Sequence, residues 1–339
     1  MLNIGYDGTV PTNDFARPIS ISHDGRYVLF SSRAPLVSND TNSEPDLFVR
    51  DLLTGSNSLV NVTTNGSAGE TGYGADMSAD GRWVAFTGFG SEFSEGVPEW
   101  GFHIYLRDMA VGTNRWISMN TSPSCLNPTV SANGRFIAFE ARLGSGAAVF
   151  LHDAQTGATT RVTENCSGEG YIFAARISGD GHFVFFQSAD MDYTDGEFFF
   201  NDVNIYRWER ATAETTLVSL NKTRTGGARD WETFDAVSYD GDVVAFSSTS
   251  SDLSFGDKNN GFDIFVWQAG ILPRLNISLS EGMITITWPT DSPDAVLETR
   301  TNDSDWVPVS GSIGQEAGTY IYETPVDAAS PRFFQLRLL

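Results

Sequence analysis

The sequence predicts an all-β fold, a five-bladed β-propeller with four-stranded blades followed by a small β-sandwich, and three observations carry the prediction. The first is a repeat: SHDGRYVLF from Ser22, SADGRWVAF from Ser78, SANGRFIAF from Ser131, SGDGHFVFF from Ser178 and SYDGDVVAF from Ser238. The turn glycines Gly25, Gly81, Gly134, Gly181 and Gly241 stand 56, 53, 47 and 60 residues apart, a fixed-order spacing typical of propeller blades. The second is alternation. Each copy reads as a short strand ending in Ser, a tight turn on Asp-Gly or Asn-Gly, and a second strand of alternating apolar residues, with Gly supplying the positive φ of the reversal. The third is composition: 339 residues, 40% hydrophobic, with 33 Gly, 24 Phe and 8 Trp and no convincing helical pattern, suit many short strands around ample apolar surface.

Taken in order, the repeats span residues 16–63, 72–120, 126–164, 171–221 and 231–268. Each adds a third strand to its hairpin: DLFVRD from Asp46, HIYLRD from His103, VFLHD from Val149, NIYRW from Asn204 and DIFVWQ from Asp263. Polar turns such as LLTGSN and AQTGAT then lead to a Thr- and Ser-rich fourth strand, except in the fifth repeat, where AGILPRLN stands instead. Residues 2–5 resemble the missing strand, so the expectation is a ring over residues 1–270 whose last blade is closed by the first strand of the chain. The competing expectation is a piece of a longer array with further blades upstream. From about Pro273 the repeat stops. Residues 273–339 alternate in strand fashion (MITITW, AVLETR, GTYIYE, RFFQLRLL) between turns rich in Gly, Asp, Ser and Pro, as in a small sandwich with Trp288 and Trp306 in its core.

Charge narrows the function. Lys and Arg number 21 against 43 Asp and Glu, a formal −22, which repels nucleic acid and anionic lipid and favours cations or basic partners. No apolar run reaches the length of a membrane span, and no signal peptide is recognisable in the residues given. Cys125 and Cys166 are too few for a disulfide framework or a zinc site; two free thiols are expected, with one disulfide across the third blade as the alternative.

The run SxDGRxVAFxS, a polar loop with DTN, DLFVRDLLTG and a Thr/Ser-rich strand together resemble the TolB-type propeller repeats of bacterial envelope and secreted proteins, over residues 1 to 270. That resemblance implies a secreted, periplasmic or cell-surface binding platform rather than an enzyme. The ending PRFFQLRLL is similar to C-terminal β-modules of large bacterial surface proteins.

Candidate chemistry lies in the loops. The connection between second and third strands is NDTNSEPDLF in the first repeat and GDKNNGFDIF in the fifth, placing Asp40, Asn42, Asp46 and Asp257, Asn259, Asp263 at positions 1, 3 and 7. Oxygen side chains so spaced can wrap Ca2+ as the first half of an EF-hand loop does, although the later bidentate Glu is missing. The competing reading is that they cap turns through their own backbone. Aromatic residues in the crossings between repeats and in the loops (Tyr73, Trp100, Tyr171, Phe199 and Trp231) are candidates for binding a protein or glycan, against a role in blade packing. The alternative function is a glycan hydrolase with carboxylates around the channel, for which the innermost strands offer Asp76 and Asp235 with Arg176 nearby. No catalytic residue is assigned: no G-x-S-x-G elbow is present, and His23, His103, His152 and His182 are spread over strand and turn positions.

Overall fold

The computed structural model describes residues 4–5, 8, 16–119, 121–122, 124–144, 146–163, 172–189, 203–221, 227–228, 232–254, 261–269, 275–280, 282–290, 295–301, 306–316, 318–326 and 332–338. Among them every regular element is a strand, and no helix is long and apolar enough to cross a membrane. The first sheet comprises β1 (Arg17–Ile21), β2 (Tyr27–Ser32), β3 (Asp46–Asp51) and β4 (Asn57–Leu59). The second comprises β5 (Thr71–Met77), β6 (Trp83–Phe89), β7 (Phe102–Asp108) and β8 (Thr113–Trp116). The third comprises β9 (Cys125–Val130), β10 (Phe136–Leu143), β11 (Gly146–Asp153) and β12 (Thr159–Arg161). The fourth comprises β13 (Ile172–Ile177), β14 (Phe183–Ser188), β15 (Asn204–Glu209) and β16 (Thr215–Leu217). The fifth has β17 (Glu232–Val237), β18 (Val243–Ser248) and β19 (Asp263–Gln268). Each sheet is an antiparallel meander paired in chain order.

The two faces of each sheet bury against different neighbours, because successive side chains point to opposite sides. Leu29, Leu47 and Val49 of the first sheet pack on Val84, Phe86 and Tyr105 of the second. The intervening Ala85, Ile104 and Leu106 turn to Val130, Ile137 and Phe139 of the third. Ala138, Val149 and Leu151 continue onto Val184, Phe186 and Tyr206, and Phe185, Ile205 and Val218 onto Val244 and Phe246. This face-to-face succession of sheets, innermost strand against innermost strand, is the stacking of propeller blades.

The hairpin reversal is wider than a two-residue Asp-Gly turn. In the first copy Gly25 N–H bonds Ser22 O (2.9 Å), Ser22 N–H bonds Tyr27 O (2.9 Å), and the Ser22 hydroxyl donates to Asp24 Oδ1 (2.6 Å) while accepting Tyr27 N–H (2.8 Å). The same hydroxyl bridge recurs at Ser78, Ser131, Ser178 and Ser238, which explains why every copy opens on Ser. The turns then bond one another across the seams: His23 N to Ala79 O (2.8 Å), Ala79 N to Ala132 O (3.0 Å), Ala132 N to Gly179 O (2.8 Å) and Asp180 N to Tyr239 O (3.0 Å). The first aromatic of each second strand lies on the turn glycine of the next sheet: Tyr27 on Gly81, Trp83 on Gly134, Phe136 on Gly181 and Phe183 on Gly241. In the first three sheets a bidentate Arg–Asp pair clasps the strand ends below that ring, Arg26–Asp51, Arg82–Asp108 and Arg135–Asp153.

The two ends of the succession differ from its seams among the described residues. A Cβ added at Gly25 would meet nothing within 4 Å. In the fifth sheet Ile264 and Val266 are 79% and 66% exposed, whereas their counterparts Leu47 and Val49 are 7% and 5% exposed under the second sheet. Of the expected closing strand, residues 2–5, only residues 4 and 5 are among those described. The carbonyl of Ile4 accepts Asn57 Nδ2 (2.7 Å) of the first sheet just as Val62 O, past the last strand of the first sheet, accepts Asn114 Nδ2 (2.7 Å) of the second.

Residues 276–338 form two further sheets. One orders β20 (Asn276–Ser280), β21 (Met283–Pro289), β25 (Thr319–Pro325) and β24 (Gly314–Glu316); the other orders β23 (Val307–Pro308), β22 (Ala295–Arg300) and β26 (Phe333–Leu338). They share a core of Ile286, Trp288, Leu297 and Tyr322. Trp306 differs from expectation: it is half-buried, with the Arg300 guanidinium 4.7 Å above its ring. Cys125 is a buried free thiol bonded to Ser122 O (3.2 Å), while Cys166 lies outside the described residues.

Candidate functional site

The connection from β2 to β3 holds two buried acids. Asp46 opens β3 opposite Ser32 and is fully buried; Asp40 is 5% exposed. The two are close enough that the Asp46 charge acts on the Asp40 carboxyl. Asn61, just past β4, positions Asp46: its Nδ2 donates to Asp46 Oδ1 and to Gly69 O (2.8 Å), and its Oδ1 accepts Leu47 N–H (2.9 Å). Asn42 lies alongside, donating from Nδ2 to Asp46 Oδ1 (3.4 Å) and accepting Glu44 N–H (2.9 Å), an Asx turn that does cap the loop as the competing reading expects. Neither Asp40 Oδ2 nor Asp46 Oδ2 has a hydrogen-bond partner, although both are buried. Burial first, then the neighbouring Asp46 charge, pushes the Asp40 carboxyl up to about 7; burial also raises Asp46. Among the described residues no three His, Cys, Asp or Glu side chains converge, so the donor set is a carboxyl pair with amide groups.

The same register position in the other sheets is His103, Ala148, Asn204 and Asp263. Asp263 opposes Ser248 as Asp46 opposes Ser32, and its Oδ2 is likewise buried without a hydrogen-bond partner. Asp257 and Asn259, its expected companions, lie outside the described residues. Asn61 was not foreseen, yet a signal existed. A polar residue recurs 15 positions after this register position in the first four sheets (Asp46, His103, Ala148 and Asn204), at Asn61, Ser118, Thr163 and Ser219. Each accepts the next residue's N–H, from Leu47, Ile104, Val149 and Ile205 at 2.9, 3.0, 3.2 and 3.0 Å.

Asp76 on the innermost strand β5 and Glu140 on the second strand β10 are both taken up by bonds to the surrounding strands. Asp76 accepts Met77 N–H at Oδ1 (2.8 Å) and, across the seam, Val130 N–H at Oδ2 (2.9 Å). Glu140, not singled out from the sequence, accepts Asn127 Nδ2 (3.2 Å) and the N–H of Ala175 in the fourth sheet (3.4 Å). Burial raises both carboxyl groups, and exposed Arg176 lowers them only weakly. The side chain of Asp235 lies outside the described residues.

Of the aromatic candidates, Trp100 stands 77% exposed in the connection from β6 to β7, edge-on to Phe89 at 6.0 Å. Phe262, in the equivalent connection of the fifth sheet, is 74% exposed. The side chain of Tyr73 and the whole of Tyr171, Phe199 and Trp231 lie outside the described residues.

No protein-family profile and no curated protein sequence matches the chain. Among solved structures it is similar to TolB from Acinetobacter baumannii, at 15% identity and a TM-score of 0.44, over 76% of this chain and 55% of that one, so that it spans little more than half the length of that protein. The putative TolB from Agrobacterium tumefaciens is similar at 19% identity and a TM-score of 0.43, over 82% and 78% of the two chains. The β-propeller domain of the Trilobed protease from Pyrococcus furiosus is similar at 11% identity and a TM-score of 0.48, over 95% of each. Likenesses at these identities concern the fold, and the order and packing of the sheets describe that fold directly: an all-β succession of propeller blades.

Proposed function

We propose that the chain is a binding propeller that does no chemistry of its own and docks a protein partner outside the cytoplasm through the rim that carries the connections between second and third strands. The observation that carries this reading is the use of the inner acids. Glycoside hydrolysis needs two carboxyl groups facing a substrate, whereas Asp76 spends its oxygens on the N–H groups of Met77 and, across the seam, Val130, and Glu140 accepts Asn127 Nδ2 and Ala175 N–H. The rim itself offers exposed Trp100 and Phe262, aromatic anchors of the kind that dominate protein interfaces. A net charge of −22 favours a partner with a basic docking face.

Two measurements test the reading. Incubation with a panel of polysaccharides and peptides should release no product; release that disappears in Asp76→Asn or Glu140→Gln overturns it. Binding of basic envelope proteins, followed by calorimetry, should weaken in Trp100→Ala and fall with rising salt, while indifference to both Trp100→Ala and Phe262→Ala would remove the rim from consideration.

A further inference from the structure

The acid pair at the first rim connection is not required by the blade. Four-stranded sheets form equally with His103, Ala148 or Asn204 at the position of Asp46, and Asn204 is satisfied by the Ser219 hydroxyl at 2.8 Å. Where Asp46 stands, a second acid, Asp40, is buried beside it. Asn61 fills one oxygen of Asp46 and fixes the side chain, and the remaining Oδ2 of each acid is left without a hydrogen-bond donor. Two buried carboxyl groups side by side are strongly unfavourable unless their charge is neutralised. A turn-capping role accounts for Asn42, which bonds Glu44 N–H, but not for the two unpartnered oxygens.

We propose that the unpartnered Oδ2 atoms of Asp40 and Asp46 bind a divalent hard cation, Ca2+, which ties the first rim connection to the end of the outer strand through Asn61. The chemistry fits: ligands are oxygens, two carboxylates cancel a double positive charge, and a loop rather than a rigid cage suits the larger and less directional of the common hard cations. The Asp-x-Asn-x-x-x-Asp spacing brings Asp40 beside Asp46 because Asp46 is held by β3 and Asp40 by the turn that begins at Val37, whose carbonyl accepts Asp40 N–H (3.3 Å). Asp263 shows the same orphaned oxygen at the same register, an independent occurrence of the feature in the fifth sheet.

The test is native mass spectrometry and thermal melting of the full chain, stripped with EDTA and then titrated with Ca2+ or, as control, Mg2+ at matched ionic strength. Ca2+ about 100-fold above its Kd should raise the melting temperature by several degrees, with Mg2+ less effective. Asp40→Asn and Asp46→Asn should each lose one bound Ca2+ per chain while keeping the β-sheet circular dichroism. Asn42→Asp, which adds a charge beside the donor set, should tighten binding, a gain that a misfolded variant could not produce. Absence of any Ca2+-dependent shift, or an unchanged stoichiometry in both Asp40→Asn and Asp46→Asn together with unchanged affinity in Asn42→Asp, would overturn the proposal and leave the ions to the acidic surface.

Discussion

Gly134→Ala and Gly25→Ala separate what the turn contributes from what the seam contributes. The two glycines occupy the same place in their hairpins, with φ of +73° and +72° and the same 2.9 Å bond from Gly N–H to the Ser carbonyl. In either, alanine must adopt a left-handed conformation, a penalty of about 1–2 kcal/mol. They differ in what lies beyond: an added Cβ at Gly134 would come within 2.1 Å of Trp83 Cδ1, whereas at Gly25 nothing lies within 4 Å. Forcing Trp83 aside overpacks the seam between second and third sheets, worth about 1–3 kcal/mol more. Gly25→Ala should therefore destabilise by about 1–2 kcal/mol and Gly134→Ala by about 2–5 kcal/mol in urea unfolding followed by tryptophan fluorescence and circular dichroism. In a Trp83→Ala background the excess at Gly134 should vanish, since the clashing ring is gone. Equal penalties for the two glycines would refute the reasoning, because Gly25 would then have to be covered in solution as the other turn glycines are, and the ring would be closed.

Three further outcomes follow from individual contacts. Ser118→Ala leaves the buried Ile104 N–H without its 3.0 Å acceptor and should cost about 1–3 kcal/mol in the same unfolding assay. Asp76→Ala deprives Met77 and Val130 of their acceptor and should cost about 2–5 kcal/mol, whereas Asp76→Asn, which keeps one oxygen and carries no buried charge, should cost less; the reverse order would show that the carboxylate charge itself matters. The Arg82 guanidinium holds Asp108 below the usual carboxylate range, so the pair stabilises fully above about pH 3.9 and loses its effect as pH falls through the depressed value in the folded state. Arg82→Gln should thus be less stable than wild type near about pH 7, with the difference shrinking as pH falls below about 3.9, measured as urea midpoints.

The blades were legible because each is specified locally. Ser-x-Asp-Gly, a second strand of alternating apolar residues and a third strand beginning at Asp46, His103 or Asn204 lie within a few tens of residues, and period-2 alternation fixes which side chains enter which seam. The function of the leading Ser was hidden, since a hydroxyl that bridges Asp24 and Tyr27 N–H reads in sequence like any turn residue. Asp40, Asn42 and Asp46 were legible from spacing alone, but Asn61 was not, because it reaches Asp46 from another strand. The role of Asp76 was hidden for a related reason: nothing in a linear sequence separates a carboxylate facing a channel from one accepting Val130 N–H across a seam. Closure was the least legible feature, as it depends on which sheet residues 2–5 join.

The two rims of the propeller answer to different constraints, and this bears on where a partner would be recognised. On the rim of the Ser turns, the hydroxyl bridges, the turn-to-turn bonds from His23 to Tyr239 and the aromatic-on-glycine contacts repeat from sheet to sheet, so a change there is paid in stability before it alters recognition. On the opposite rim the described connections differ from one another: buried Asp40 and Asp46 in the first sheet, exposed Trp100 in the second, a short β10 to β11 reversal in the third, and exposed Phe262 in the fifth. A surface whose members differ while their supports are the same can acquire a binding site without disturbing the blades. Substitutions on that rim should therefore separate binding from stability, with Trp100→Ala changing the first and leaving the urea midpoint within about 0.5 kcal/mol of wild type.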